Sequence, residues 1–116
     1  MKNESDPKLV ILISKDAMGD GSKELGRILI KSYLATLVDL PQTPSHLIFV
    51  NAGVFLTAKD SAVLEDLKDL EAKGTRILSC GTCINFFELG EPAVGTVSNM
   101  QTISGLMASA ERLISL

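Results

Sequence analysis

The run Leu9-Val10-Ile11-Leu12-Ile13 constrains the fold more than any other part of this chain. Five apolar residues in succession, without polar alternation, describe a strand covered on both faces. Such a strand needs helices above and below it, and the rest of the sequence supplies them. Residues 47–50 (Leu-Ile-Phe-Val) repeat the pattern. Residues 75–79 (Thr-Arg-Ile-Leu-Ser) give a third strand, residues 93–97 a short fourth, and residues 112–116 a terminal fifth. Helical stretches alternate with these runs. The chain therefore reads as α/β, with a parallel sheet, helices on both faces and right-handed crossovers.

The first helix is expected over Lys23–Val38, closed by Pro41 and Pro44. The second should be capped by Asp60 or Ser61, turn Val63, Leu64, Leu67 and Leu70 inward, and stop at Gly74. A short helix over residues 83–89 should end at Gly90. A last helix over residues 99–110 should bury Met100, Ile103, Leu106 and Met107. Residues 1–7 are polar and read as a flexible end. Residues 8–116 read as one domain, because a chain of 116 residues has no room for two.

Charge and composition exclude several functions. A net charge of −3 offers nothing to neutralise a row of phosphates, so no nucleic-acid partner is expected. The chain has no Trp, one Tyr and four Phe, too few for a base-stacking platform. The apolar run at residues 9–13 is too short for a signal peptide or a membrane span. The expected location is cytoplasmic, with no membrane partner. Two cysteines are too few for a disulfide scaffold. In a reducing compartment such a pair is more often catalytic, redox-active or metal-binding than structural. A structural zinc site takes about four ligands, and two Cys with one His do not supply them. No metal and no cofactor are expected. His46 precedes the second strand, at the end away from the proposed site, so no Cys–His pair is expected either.

The first helix carries apolar residues around most of its surface: Leu25, Ile28, Leu29, Ile30, Tyr33, Leu34, Leu37 and Val38. Its polar stripe, Lys23, Arg27 and Lys31, is narrow. A helix of this kind is buried on more than one side, and in so small a domain the second side is another subunit. A homo-oligomer, dimer or trimer, is expected, with Ile30 and Leu34 between subunits.

Ligands of open α/β sheets bind beyond the carboxyl ends of the strands. Residues 15–22, 51–57, 80–83 and 97–100 fall there, and three of these segments are rich in Gly, Asn, Ser or Asp. Cys80-Gly81-Thr82-Cys83 is the sharpest signal. Cys80 ends a strand, so its side chain should point into the cleft as the more reactive thiol, with Cys83 secondary one short turn on. Gly81 permits close approach of a substrate. Two sulfurs at this spacing can form a disulfide, or one can resolve an intermediate carried by the other. Gly19-Asp20-Gly21-Ser22-Lys23 matches neither the Walker pattern nor the dinucleotide fingerprint and reads better as a turn and helix cap. Asp16, Gly19 and Gly21 remain candidates to hold a polar ligand, together with Asn51, Gly53, Gly81, Thr82 and Asn99.

These segments resemble a known family. Residues 13–21, 24–29, 49–54, 64–67, 74–83 and 94–100 are similar to the DsrE-like domain that forms the C-terminal half of YedF-type proteins, described as sulfurtransferase-like selenium-metabolism proteins. Ser79-Cys80-Gly81-Thr82-Cys83 and Gly95-Thr96-Val97-Ser98-Asn99-Met100 together are the specific part. The resemblance implies a three-layer α/β/α sandwich around a parallel five-stranded sheet. It implies a relation to proteins that relay persulfide sulfur between cysteines, with Cys80 at the sulfur-bearing position and Cys83 as the extra thiol of the YedF group. It also implies oligomers, and a TusA-like sulfur donor or acceptor: YedF-type proteins carry an N-terminal TusA-like domain that these residues do not include, so that domain either was removed or has a separate protein in its place. The leading expectation is a sulfur or selenium carrier, with the Asn51, Gly53 and Asn99 loops donating hydrogen bonds to the terminal anion. The alternative is a non-enzymatic module for a small ligand or protein, with Cys80 and Cys83 as a redox sensor.

Overall fold

The computed structural model describes residues 7–116. The expected flexible end lies outside the described residues except at Pro7, which is buried and whose carbonyl accepts a hydrogen bond from the Glu111 amide. The elements run β1 (Leu9–Ile13), α1 (Lys23–Val38), β2 (His46–Phe49), a 3-10 helix (Asn51–Thr57), α2 (Leu64–Ala72), β3 (Arg76–Cys80), α3 (Gly81–Phe86), β4 (Thr96–Ser98), α4 (Met100–Ser109) and β5 (Arg112–Ser115). The five strands form one sheet in the order β4-β3-β2-β1-β5, and every pairing is parallel. This is the three-layer α/β/α sandwich, with α1 and α2 on one face and α4 on the other.

Strand alternation divides the core. Ile11, Ile13, Leu47, Phe49 and Ile77 face α1 and α2, where Ile30, Leu34, Leu37, Leu67 and Leu70 meet them. Val10, Ile48 and Cys80 face α4 and pack around Ile103. The helices are capped where the sequence offers short polar residues. Ser22 has an extended backbone and its Oγ accepts from the Leu25 amide at 3.1 Å, while Glu24 sits in the first turn of α1. Asn99 caps α4 in the same way, accepting from Thr102 at 2.8 Å. Gly74 takes φ +104 just past α2, as a helix C-terminus requires.

Several expectations are corrected. Helix α2 begins at Leu64 without a side-chain cap, and Ser61 Oγ accepts from the Val63 amide one residue ahead of it. The fourth strand spans 96–98 rather than 93–97, because Gly95 has φ +73 and Val94 turns into the core. Met100 is 55% exposed, since it is the first residue of α4 and faces away from the sheet. Ile30 and Leu34 are 2% and 0% exposed within the subunit's own core, so they do not lie between subunits. Glutamate at either position would bury a charge and unfold the domain rather than separate copies of it. The outward apolar residues of α1 are Leu25, Ile28 and Leu29.

Residues 51–57, expected as a loop, form the 3-10 helix that positions the site. Gly53 makes this possible: a Cβ built there would lie 2.2 Å from the carbonyl oxygen of Ile13. Gly53→Ala is therefore expected to lower stability by about 1–3 kcal/mol, the cost of forcing apart packed backbone. Gly105→Ala meets open space inside α4 and should instead raise stability by about 0.5–1 kcal/mol. Thermal unfolding of the two variants beside wild type checks both signs.

Candidate functional site

The chain leaving β3 turns to the face covered by α1 and α2, where α3 places Ile84. The chain leaving β4 turns to the opposite face as α4. The two connections part at the carboxyl ends of β3 and β4, where Cys80 is paired with Ser98. A crevice is expected at such a divergence, and both cysteines are found there.

Their placements differ. Strand alternation sends Ile77 and Ser79 to the α2 face, and Leu78 and Cys80 to the α4 face. Cys80 is 3% exposed and packs with Val10, Ile48 and Ile103. The sequence expectation that it points into the cleft is thus corrected. Helix α3 starts at Gly81 rather than at residue 83, which puts Cys83 within its first turn. Cys83 is only partly buried, and its Sγ accepts a hydrogen bond from the Asn51 amide at 3.0 Å. Cys83 lines a cleft of about 270 Å³ with Asn51, Thr82, Phe86 and Phe87. Both thiols are free.

Asn51 directs its amide to Cys83 from a backbone with φ +50, one of two non-glycine residues at positive φ among the described residues. Asparagine tolerates that conformation better than most residues. The 3-10 helix that follows is tied at three further points. Gly53 lies against Ile13, Thr57 Oγ1 and Ser79 Oγ share a buried hydrogen bond of 2.8 Å, and the Thr57 carbonyl accepts from the Ala93 amide at 2.7 Å. One short helix thereby fixes the ends of β1 and β3, the approach to β4, and the amide on Cys83.

The thiol chemistry follows from these contacts. Burial pushes the Cys83 pKa up, and its hydrogen bond with the Cys80 thiol pushes it further by favouring the protonated form. The Asn51 amide acts the other way, because it donates to the sulfur and favours the thiolate.

The remaining candidate residues divide between this cleft and another. Asp16, Gly19 and Gly21 line a second cleft of about 270 Å³ with Lys15, Asp20 and Lys23. Ala52 belongs to it and Asn51 to the first, so the two are neighbours on one end of the sheet. Gly19 has φ +87, Lys15 pairs with Asp20, and Ser22 caps α1. The segment is therefore a turn and cap. Gly53 is buried and its amide donates to the Val50 carbonyl, so it offers nothing to a ligand. Asn99 spends its side-chain oxygen on capping α4 and does not line the Cys83 cleft. Gly81 lies against Val97 and Ser98, and Thr82 is exposed beside Cys83. His46 starts β2 at the other end of the sheet. A cleft of about 490 Å³ also opens there, between Lys8, Tyr33, Leu40 and Arg112, and it contains no thiol.

Aromatic side chains are the part that sequence reasoning missed. Phe86 is 80% exposed beside Cys83 and meets Phe87 edge-on at 5.2 Å. Phe87 in turn lies 4.8 Å from Phe55 of the 3-10 helix. The available signal was position: three of the chain's four phenylalanines flank these two segments. Among the described residues, no group of three His, Cys, Asp or Glu is placed to hold a metal, and no helix is long and apolar enough to cross a membrane.

Iodoacetamide labelling of Cys83 should titrate above the ordinary thiol range. Cys80→Ala removes the neighbouring thiol that helps hold the Cys83 pKa up, so the midpoint should move down. Labelling rates measured across pH, with fragmentation to separate the two cysteines, check the sign. A midpoint that stays or rises would contradict it.

The crystal structure of the ychN protein from E. coli superposes with a TM-score of 0.71 at 14% identity, covering 94% of this chain and 98% of that one. MTH1491 from Methanobacterium thermoautotrophicum, a protein of unknown function, superposes with a TM-score of 0.65 at 22% identity, covering 92% and 99%. At these identities the likeness is one of fold. No curated protein sequence matches the chain. The model of the DsrE/DsrF-like family matches residues 7–116, which is the whole of the described sandwich, and the chain therefore belongs to the DsrE/DsrF-like family.

Proposed function

We propose that this protein is a cysteine-based carrier of sulfane sulfur or selenium, of the YedF type, that relays persulfide sulfur through the Cys80/Cys83 pair. The observation that carries the reading is the Asn51 amide on the Cys83 sulfur, with the buried cluster that holds Cys80 packed behind it. An amide in that position favours the Cys83 thiolate, the form that attacks a persulfide. Cys80 is the expected carrier, because it stands at the strand-end position of the sulfur-relay relatives and its 3% exposure would shelter bound sulfur from reductants. The sulfur donor or acceptor in this reading is TusA-like, and the relay works in the cytoplasm.

Intact mass after incubation with a persulfide donor tests the reading. Wild type should gain the mass of one sulfur atom, and dithiothreitol should remove it. The double variant Cys80→Ser/Cys83→Ser should gain nothing. Absence of an adduct on wild type would favour the binding module instead, with the adjacent thiols serving as a redox sensor.

The carrier is a homo-oligomer in this reading, assembled through the outward face of α1. Leu25, Ile28 and Leu29 are 52%, 60% and 41% exposed and cluster on the outward face of α1, where a second copy would cover them. Ile28→Glu should lower the mass seen by light scattering while leaving the thermal transition in place. A wild type that is monomeric at high concentration would end this part of the proposal.

A further inference from the structure

Resting on the carrier reading, we infer that Cys83 is the entry thiol: donors react with Cys83, and Cys80 receives sulfur only through it. Attack on an external persulfide requires a sulfur that the donor can reach in line. Cys80 does not meet that requirement. It is 3% exposed, beneath α4, among Val10, Ile48 and Ile103. Cys83 meets it. It opens on a cleft of about 270 Å³, and it packs against the Cys80 cluster from the other side. It is thus the one sulfur of the pair that lines the cleft and also packs against the buried cluster that holds the other thiol.

The steps balance without an outside oxidant. Cys83 attacks the outer sulfur of the donor R–S–SH. The donor's S–S bond breaks, its electron pair leaves with the inner sulfur, and the proton lost by Cys83 ends on R–SH. Cys83 now carries S–SH, and the Asn51 amide lies beside the bonded sulfur. Cys80 attacks that outer sulfur in turn, which regenerates the Cys83 thiol and leaves S–SH on Cys80. Each exchange forms one S–S bond and breaks one.

The cleft also limits the donor. Asn51, Thr82, Cys83, Phe86 and Phe87 line it, and none of them carries a charge. Phe86, 80% exposed, and Phe87 form an apolar collar at the thiol. A donor whose persulfide is flanked by apolar groups suits this collar better than one presented on a charged surface.

The test uses free cysteine hydropersulfide as the probe and follows loading by intact mass and fragmentation, on wild type, Cys83→Ser, Cys80→Ser and Cys80→Ala. Cys83→Ser should load about ten-fold or more slowly, because only the inaccessible thiol remains. Cys80→Ser and Cys80→Ala should both still take up one sulfur, and it should remain on Cys83 because no second thiol is there to receive it. The alanine variant avoids placing a hydroxyl in the apolar cluster, and circular dichroism establishes that each variant is folded. In wild type, the earliest adduct should map to Cys83. If wild type loads and Cys83→Ser loads equally fast on Cys80, the entry assignment is overturned while the carrier reading stands. Loss of loading in both Cys80 variants also overturns it. If wild type does not load at all, the carrier reading itself fails.

Discussion

The crossing of the 3-10 helix over the end of β1 is the contact on which the rest of the site depends. Gly53 leaves the helix so close to Ile13 that no side chain fits between them. From that fixed point the same seven residues reach three other parts of the chain. Asn51 reaches the Cys83 sulfur, Thr57 reaches Ser79 at the end of β3, and the Thr57 carbonyl holds Ala93 ahead of β4. Displacing the helix would loosen the amide, the strand end and the loop together. The site is rigid because its parts share one anchor, not because each is separately packed.

The inequality of the two thiols has an equally simple source. Successive residues of a strand point to opposite faces. Ser79 is committed to Thr57 on one face, so Cys80 must enter the other, where Ile103 closes over it. Helix α3 begins at once, and its first turn carries Cys83 back to the surface. Strand period and helix period therefore put one sulfur inside and the next outside, within contact of each other. Placing two thiols at different depths by backbone geometry alone needs no charged partner, and no charged residue lines the cleft.

Much of this architecture is legible in the amino-acid order. The apolar run Leu9–Ile13, the helical period of Lys23–Val38 and the glycine after α2 each appear where local chemistry puts them. Boundaries shift by one to three residues where a glycine or a cap decides. Gly95 delays β4, and Cys80 takes the cap position that lets α3 begin early. The candidate site is less legible. Cysteine spacing identifies the pair, but exposure depends on which face Cys80 takes, and that follows from the Ser79–Thr57 bond across 22 positions of sequence. The Asn51 contact spans 32 positions. No periodicity announces either, and the seven-residue 3-10 helix is too short to produce a pattern of its own.

The terminal strand has a consequence for how the sheet is assembled. β5 is an edge strand, and among the described residues it pairs with β1 alone, at the other end of the chain. Ser14 closes this pairing by donating from both its amide and its hydroxyl to the carbonyl of Leu116, across 102 positions. A loop that long is entropically expensive to close before its contacts form. The β1-β2-β3-β4 sheet with α1 and α2 can condense from nearer neighbours, and Cys80 at the end of β3 is enclosed when Ile103 of α4 covers it. The β5 edge then behaves as a seam added last and opened first. While it is open, β1 presents a bare parallel edge, which is a template for the corresponding strand of another copy.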